Sequence, residues 1–130
     1  MAEPSGLNKT VLVVEDDEPL REVIADTLEK EGFRVLSAGD GLSALSLAKD
    51  IKPDLIILDL ILPGMSGWNF RMKQRGDRVL RAVPVVAMSG WFFSEPRVAQ
   101  LKQEPFAFDG FLLKPFSLDA LLQTVKHLVA

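Results

Sequence analysis

Apolar residues along this chain come in two rhythms that alternate. Short continuous runs give way to stretches in which apolar positions recur at helical spacing. Thr10 to Val14 is β-branched and unbroken, as expected of a strand buried on both faces. A helix then starts with Asp17 as N-cap and Pro19 just inside, where its missing N–H costs nothing. Leu20, Val23, Ile24 and Leu28 share its inward face, and Gly32 ends it. Phe33 to Ala38 reads as a second, weaker strand. A helix from about Leu42 to Lys49 follows, with Leu42, Leu45 and Ala48 inward. After Pro53, the run Asp54 to Asp59 is the third strand. Pro63-Gly64-Met65-Ser66-Gly67 is a loop, and a short helix runs from about Trp68 to Arg75. Val83 to Met88 and Phe108 to Leu113 are the fourth and fifth strands. Between them, Ser94-Glu95-Pro96 marks a helix start, Val98, Ala99 and Leu101 face inward, and Glu104-Pro105 stops it. The last helix is the clearest: Ser117 caps it, and Leu118, Leu121, Leu122, Val125, Leu128 and Val129 form one stripe.

The alternation predicts an α/β fold, a doubly wound (βα)₅ unit with a five-stranded parallel sheet of flavodoxin-like type. Residues 1–8, with Pro4, Ser5, Gly6 and Asn8, are expected to be a mobile lead-in to one domain over residues 9–130. The length of 130 residues suits a single core, and 48% hydrophobic with 25% charged residues is ordinary for a globular chain. A net charge of −3 with scattered basic residues argues against direct nucleic-acid binding. Cysteine is absent and there is one His, which removes disulfide, thiol and structural-zinc chemistry. No apolar run approaches membrane-spanning length, and the first residues lack the pattern of a signal peptide, so a cytoplasmic location is expected.

The strand ends carry the chemistry. Val11-Leu12-Val13-Val14 leads into Glu15-Asp16, and Leu55-Ile56-Ile57-Leu58 into Asp59. The fourth strand leads into Ser89, and Phe111-Leu112-Leu113 into Lys114-Pro115. In a parallel sheet these ends share one edge, where open α/β sheets place ligands. Two carboxylates about 4 Å apart repel by roughly 4 kcal/mol at an effective dielectric of about 20. A divalent cation relieves that repulsion, and an all-oxygen donor set with room for water suits Mg²⁺. Lys114 adds fixed positive charge, Ser89 a hydroxyl, and Gly90 close backbone approach. Together they describe a cradle for phosphoryl oxygens, with Asp59 as the in-line nucleophile.

Five ordered segments carry a resemblance: Val13-Val14-Glu15-Asp16-Asp17-Glu18-Pro19, Pro53-Asp54-Leu55-Ile56-Ile57-Leu58-Asp59, Leu62-Pro63-Gly64-Met65-Ser66-Gly67, Val85-Val86-Ala87-Met88-Ser89 and Lys114-Pro115-Phe116. Over about Lys9 to Leu128 the chain resembles the receiver domain of two-component response regulators. The resemblance implies a phosphorylation-controlled switch in which Asp59 accepts a phosphoryl group from a phosphohistidine on a histidine kinase or phosphotransfer protein. It implies that Asp16, Asp59 and the Ile61 carbonyl hold Mg²⁺, with Glu15 acting through metal-bound water. Lys114 would pair with the phosphoryl group and Ser89 would move to hydrogen-bond it. Phe111 matches the aromatic switch position, and the Lys114–Pro115 bond is usually cis in the family. A downstream protein partner would bind the face made by the fourth helix, fifth strand and last helix, with a homodimer as a further option. Such a domain catalyses only its own phosphorylation and dephosphorylation. The chain departs from the family pattern at Phe111, which has no phenol, at Gly90, which often is Ala, and in the stretch from Trp91 to Phe108, which lacks the usual Gly-Ala pair.

Competing readings start from the same residues. Glu15-Asp16-Asp17 could be a solvated helix start, where acids favour the helix dipole. Gly39-Asp40-Gly41-Leu42-Ser43-Ala44 matches a dinucleotide fingerprint but follows the second strand, so a turn and helix start explain it. His127 falls on the polar side of the last helix. Trp91, Phe92 and Phe93 cannot all point inward, which leaves apolar surface for a partner or self-association. A haloacid-dehalogenase-type phosphatase also uses Mg²⁺, an Asp and a Lys, but places two aspartates two residues apart after its first strand; Glu15-Asp16-Asp17-Glu18 has no such pair. A receiver-like scaffold that docks partners without phosphorylation is the remaining alternative.

Overall fold

The computed structural model describes residues 8–90 and 107–129. Five parallel strands form one sheet in the order β2-β1-β3-β4-β5. They are β1 (Thr10–Val14), β2 (Arg34–Ala38), β3 (Leu55–Asp59), β4 (Val85–Ser89) and β5 (Gly110–Leu113). Four helices lie among the described residues: α1 (Glu18–Lys30), α2 (Gly41–Ile51), α3 (Gly67–Arg75) and the last helix, α4 (Leu118–Val129). The helix expected between β4 and β5, with the aromatic run Trp91 to Phe93, lies outside the described residues, as does the lead-in up to residue 7.

Strand alternation divides the core into two layers. Val11 and Val13 of β1 join Leu55, Ile57, Val86, Met88 and Leu112 on the side covered by α1 and α4, through Ile24, Leu28, Leu121 and Val125. Leu12 and Val14 join Ile56, Leu58, Val85 and Ala87 on the other side, with Ala44, Ala48 and Phe70 from α2 and α3. Burial on both faces of β1, β3 and β4 explains why these strands read as continuous apolar runs.

Strand starts are set by side chains that take the first backbone groups. Asp54 Oδ2 accepts the Thr10 N–H at 2.8 Å, and Asp109 Oδ2 accepts the Val85 N–H at 2.8 Å. Both β4 and β5 begin two residues later than the apolar runs suggest, and ahead of β4 the Val83 N–H is taken by the Leu80 carbonyl at 3.0 Å. Asp40 caps α2 through Ser43, whose N–H and hydroxyl both donate to its carboxylate and hold its pKa below the usual range. The Gly39-Asp40-Gly41 motif is thus a turn and helix start. Ser117 caps α4 by accepting the Ala120 N–H at 3.0 Å. Asp17 occupies the N-cap position of α1 but makes no side-chain cap bond.

Three apolar residues expected inward are exposed: Val23, Leu42 and Leu118. On α2 the inward stripe is Gly41, Ala44 and Ala48, one residue round from the expected one, and Leu42 is 68% exposed. Close approach forces the shift, because a Cβ at Gly41 would lie 2.9 Å from Met65 Cβ. Small residues make that contact, and Leu42 is turned out. Val23 and Leu118 lie on the shoulders of their helices and line, with Leu20, Pro115 and Phe116, a surface cavity of about 490 Å³.

The crossover after β3 is equally tight. Gly67 donates its N–H to the Leu60 carbonyl at 3.0 Å, and a Cβ there would lie 2.6 Å from both Asp59 O and Leu60 Cα. Both neighbours are backbone, so neither can swing away. Gly67→Ala is therefore expected to destabilise the protein by about 1–3 kcal/mol despite the higher helix propensity of Ala. Urea unfolding would read this as a lower midpoint, and an unchanged midpoint would show that α3 and the end of β3 separate freely.

Candidate functional site

The sheet order reverses between β1 and β3, and the crevice at that point opens at the C-terminal ends of the strands. Register then decides which side chains meet. Val14 pairs with Leu58, so Glu15 and Asp59 follow on adjacent strands. Asp59 pairs with Met88 and Ser89 with Leu113, which puts Ser89 and Lys114 at the next two strand ends.

Glu15 and Asp59 are 1% and 6% exposed, whereas Asp16 is open to solvent. One carboxylate oxygen from each of the three lies within 4.8 Å of the others, so the group could hold a metal ion. Lys114 reaches across the edge: its Nζ donates to Glu15 Oε1 at 2.5 Å and to Asp59 Oδ2 at 2.8 Å. The second oxygens are also engaged. Asp59 Oδ1 accepts the Ile61 N–H at 2.9 Å, and Glu15 Oε2 accepts the Asp17 N–H at 3.2 Å. The Glu15 main chain is pinned as well, its N–H on the Ala38 carbonyl at 3.1 Å and its carbonyl on Arg21 Nη1 at 2.7 Å.

Lys114 is aimed by its own backbone. Its N–H donates to the Ser89 carbonyl at 2.6 Å, and the Lys114–Pro115 peptide is cis. Ser89 is buried, and its hydroxyl donates to the Gly90 carbonyl at 3.3 Å rather than into the acid group. Phe111 lies away from the acids, half-buried against the α2/α3 layer, with its ring centroid 6.1 Å from that of Phe108. Ile61 is exposed beside Asp59. The structure thus brings Glu15, Asp16, Asp59 and Lys114 together, sets Ser89 at the same edge with its hydroxyl turned aside, and keeps Phe111 one layer below. His127 is on an exposed surface of α4.

Burial raises the Glu15 pKa from its ordinary 4.5 to about 7, with the adjoining Asp59 carboxylate adding to the rise and Lys114 opposing it. For Lys114, burial works to lower the pKa, but the hydrogen bonds to Asp59 and Glu15 outweigh it and the ammonium is held above its usual value. The site is a charge-dense edge with one more acid than it can comfortably ionise.

A second polar cluster lies inside the fold and was not legible in the sequence. Arg71 of α3 is 1% exposed, and Gln74 is fully buried beside it. Arg71 Nη1 donates to Gln74 Oε1 at 2.7 Å and Nη2 to the Ala107 carbonyl at 2.7 Å, while Gln74 Nε2 donates to the carbonyls of Leu80 and Val83. The signal was the scarcity of apolar residues in Gly67 to Arg75: a helix covered by a core with so few of them has to bury polar ones.

The pKa of Glu15 fixes a pH dependence. Native Glu15 keeps its proton until about pH 7, whereas an unfolded chain releases it near 4.5, so the native state binds more protons in that window and loses stability as pH rises through it. The loss is on the order of 3 kcal/mol. In buffer containing EDTA, the stability of Glu15→Gln minus that of the unsubstituted protein, from urea unfolding, is expected to grow by that order between pH 5 and pH 8. A constant difference would show that Glu15 is ionised throughout.

Comparison with known proteins identifies the family and agrees with the fold. The family model for the response regulator receiver domain matches residues 11–126. The chain is 36% identical over 118 residues to the phosphate regulon transcriptional regulatory protein PhoB of Escherichia coli, covering 91% of this chain and 50% of PhoB. It is 31% identical over 122 residues to the polar-differentiation response regulator DivK of Brucella ovis, covering 92% of this chain and 95% of DivK. The crystallised chemotaxis response regulator CheY4 of Vibrio cholerae superposes with a TM-score of 0.83 at 29% identity, over 92% of this chain and 98% of that one. The chain spans about half the length of the transcriptional regulatory proteins it matches.

Proposed function

This chain belongs to the response regulator receiver domain family, and from that premise we propose that Asp59 is its phosphoacceptor and Lys114 and Ser89 its phosphoryl-binding groups. Receiver domains are signalling switches of two-component systems, and the single observation that carries the assignment to Asp59 is its bond to Lys114 beside Glu15. In the proposed reaction a carboxylate oxygen of Asp59 attacks the phosphorus of a phosphohistidine on a histidine kinase or phosphotransfer protein. The P–N bond breaks and its electron pair leaves on the imidazole nitrogen, giving an acyl phosphate.

The donor set of Glu15, Asp16 and Asp59 fits a hard divalent cation, since all three donors are oxygens and Asp16 is open to water. Mg²⁺ would be held by Asp16, Asp59 and the Ile61 carbonyl, with Glu15 acting through water. When bound it would supply charge neutralisation for the phosphoryl oxygens. Lys114 already has its ammonium on Asp59 and would shift onto a phosphoryl oxygen as the adduct forms. Ser89 would exchange its bond to Gly90 for another phosphoryl oxygen. The phosphoaspartate adds roughly 1.5–2 negative charges to this edge.

Ser89 and Phe111 would then bias two packings of the face that includes β5 and α4, to which a downstream protein binds. The domain would catalyse its own phosphorylation and dephosphorylation only. A cytoplasmic setting and the choice between monomer and homodimer belong to the same proposal. Family membership and the place of Asp59 on β3 leave the aspartate-nucleophile phosphatase without support.

Incubation with acetyl phosphate and Mg²⁺, followed by intact mass, is expected to show one added phosphoryl group, absent in Asp59→Asn and absent when EDTA replaces Mg²⁺. No adduct in the unsubstituted protein would instead favour a scaffold that binds partners without phosphorylation.

A further inference from the structure

We propose that Arg71 and Phe108 form a coupling element that transmits the state of Phe111 to helix α3, with Arg71 as a positioning residue. The proposal rests on the reading of Asp59 as phosphoacceptor and Phe111 as the switch ring.

Arg71 is almost completely buried, and its guanidinium ties α3 to the residues 107–109 that lead into β5. Within α3 it donates to Gln74, which in turn holds the Leu80 and Val83 carbonyls ahead of β4. At the approach to β5 it donates to the Ala107 carbonyl at 2.7 Å and lies 3.4 Å from Asp109 Oδ2, the oxygen that also takes the Val85 N–H. Its Cζ stands 5.3 Å from the centroid of the Phe108 ring, in cation–π range. Ala107 has φ 42°, a left-handed conformation that a non-glycine residue adopts only when its surroundings enforce it. The bond from Arg71 is one such restraint.

Phe108 is therefore held against a cation, and two more rings meet it edge-on. Trp68 of α3 has its centroid 6.4 Å away at 72°, and Phe111 of β5 is 6.1 Å away at 72°. A close-packed contact of this kind cannot absorb a rotamer change at Phe111 without moving its neighbour. Phe108 touches Arg71 and Trp68, both on α3, so any displacement of its ring reaches that helix. A buried charge contributes little net stability when an apolar residue of similar volume could fill its place. The cluster is better explained by the position it imposes on Phe108 than by the energy it adds.

Trp68 supplies the readout. With Trp91→Phe, Trp68 is the only tryptophan left of two. Its emission would be followed while acetyl phosphate and Mg²⁺ are added, with the Asp59 adduct measured by mass in the same samples. In that parent, adduct formation is expected to change the Trp68 emission. In Arg71→Met and in Phe108→Leu the adduct still forms, and the emission change per adduct shrinks by roughly threefold or more. Phe108→Leu leaves the polar partners of Arg71 in place and decides the matter should Arg71→Met fail to fold. An adduct in the parent with unmoved Trp68 emission, or a full response in Phe108→Leu, would overturn the coupling alone. Absence of the adduct in the parent would overturn the phosphoacceptor reading, and the coupling with it.

Discussion

One ammonium group organises the functional edge. Lys114 bonds Glu15 and Asp59 at once, so a single side chain from the end of β5 offsets the repulsion between acids on β1 and β3. The two acids are buried, and at an effective dielectric near 20 their mutual repulsion at contact distance is worth several kcal/mol. Without a cation between them one would have to take up a proton, and the raised pKa of Glu15 shows that even with Lys114 present the balance is close. Everything that aims Lys114 thus matters to the site: the β4–β5 register, the Ser89 carbonyl that receives its N–H, and the turn at Pro115.

The sheet separates chemistry from response. Side chains along each strand alternate between a layer under α1 and α4 and a layer under α2 and α3. The acids and Lys114 lie at the rim where the strands end, whereas Phe111 belongs to the second layer, at a register position opposite Ala87 of β4. Ser89 lies two residues beyond Ala87 on the same strand, at the rim. β4 therefore runs from the edge that holds the acids to the layer that holds Phe111, and in the proposed switch a shift of one side chain at its end would have a short path to the other. In the coupling proposed above, the buried cluster around Arg71 would continue that path to α3.

The parts of this architecture legible in the sequence were those written in large apolar residues and in charged residues at strand ends. Four-residue runs such as Leu55 to Leu58, short and bounded by Pro53-Asp54 and Asp59, read as strands buried on both faces, and in a parallel sheet the acids after them share an edge. What stayed hidden depended on small or polar residues doing work usually assigned to large apolar ones. Gly41 lies on the inward face of α2 beside Ala44 and Ala48 because Met65 comes too close to it for a side chain, and Leu42 points away as a result. Arg71 and Gln74 fill the place of apolar side chains under α3, and no spacing rule distinguishes a buried arginine from a solvated one. Gly67 looked like a loop residue, although what demands it is the backbone of Asp59 and Leu60, contacts between residues seven or eight positions apart.

The charge balance at the rim also explains how such a site can be both stable and responsive. A proton on Glu15, the ammonium of Lys114 and the divalent cation that Glu15, Asp16 and Asp59 could hold are three answers to one electrostatic problem, and a bound cation would compete with the other two. A cation that favours ionised Glu15 would have to release its proton, so by linkage the affinity of the proposed site for it would rise with pH through the range in which Glu15 titrates. A phosphoryl group arriving on Asp59 would take Lys114 as its partner and leave Glu15 to the cation. In the proposed adduct the added phosphoryl charge would be met by Lys114 and the cation, while the geometry of Ser89 and Lys114 changes. A site held by one strong and irreplaceable pair could not be reset in this way. With several interchangeable partners, the proposed switch would pass between states without leaving its buried acids uncompensated.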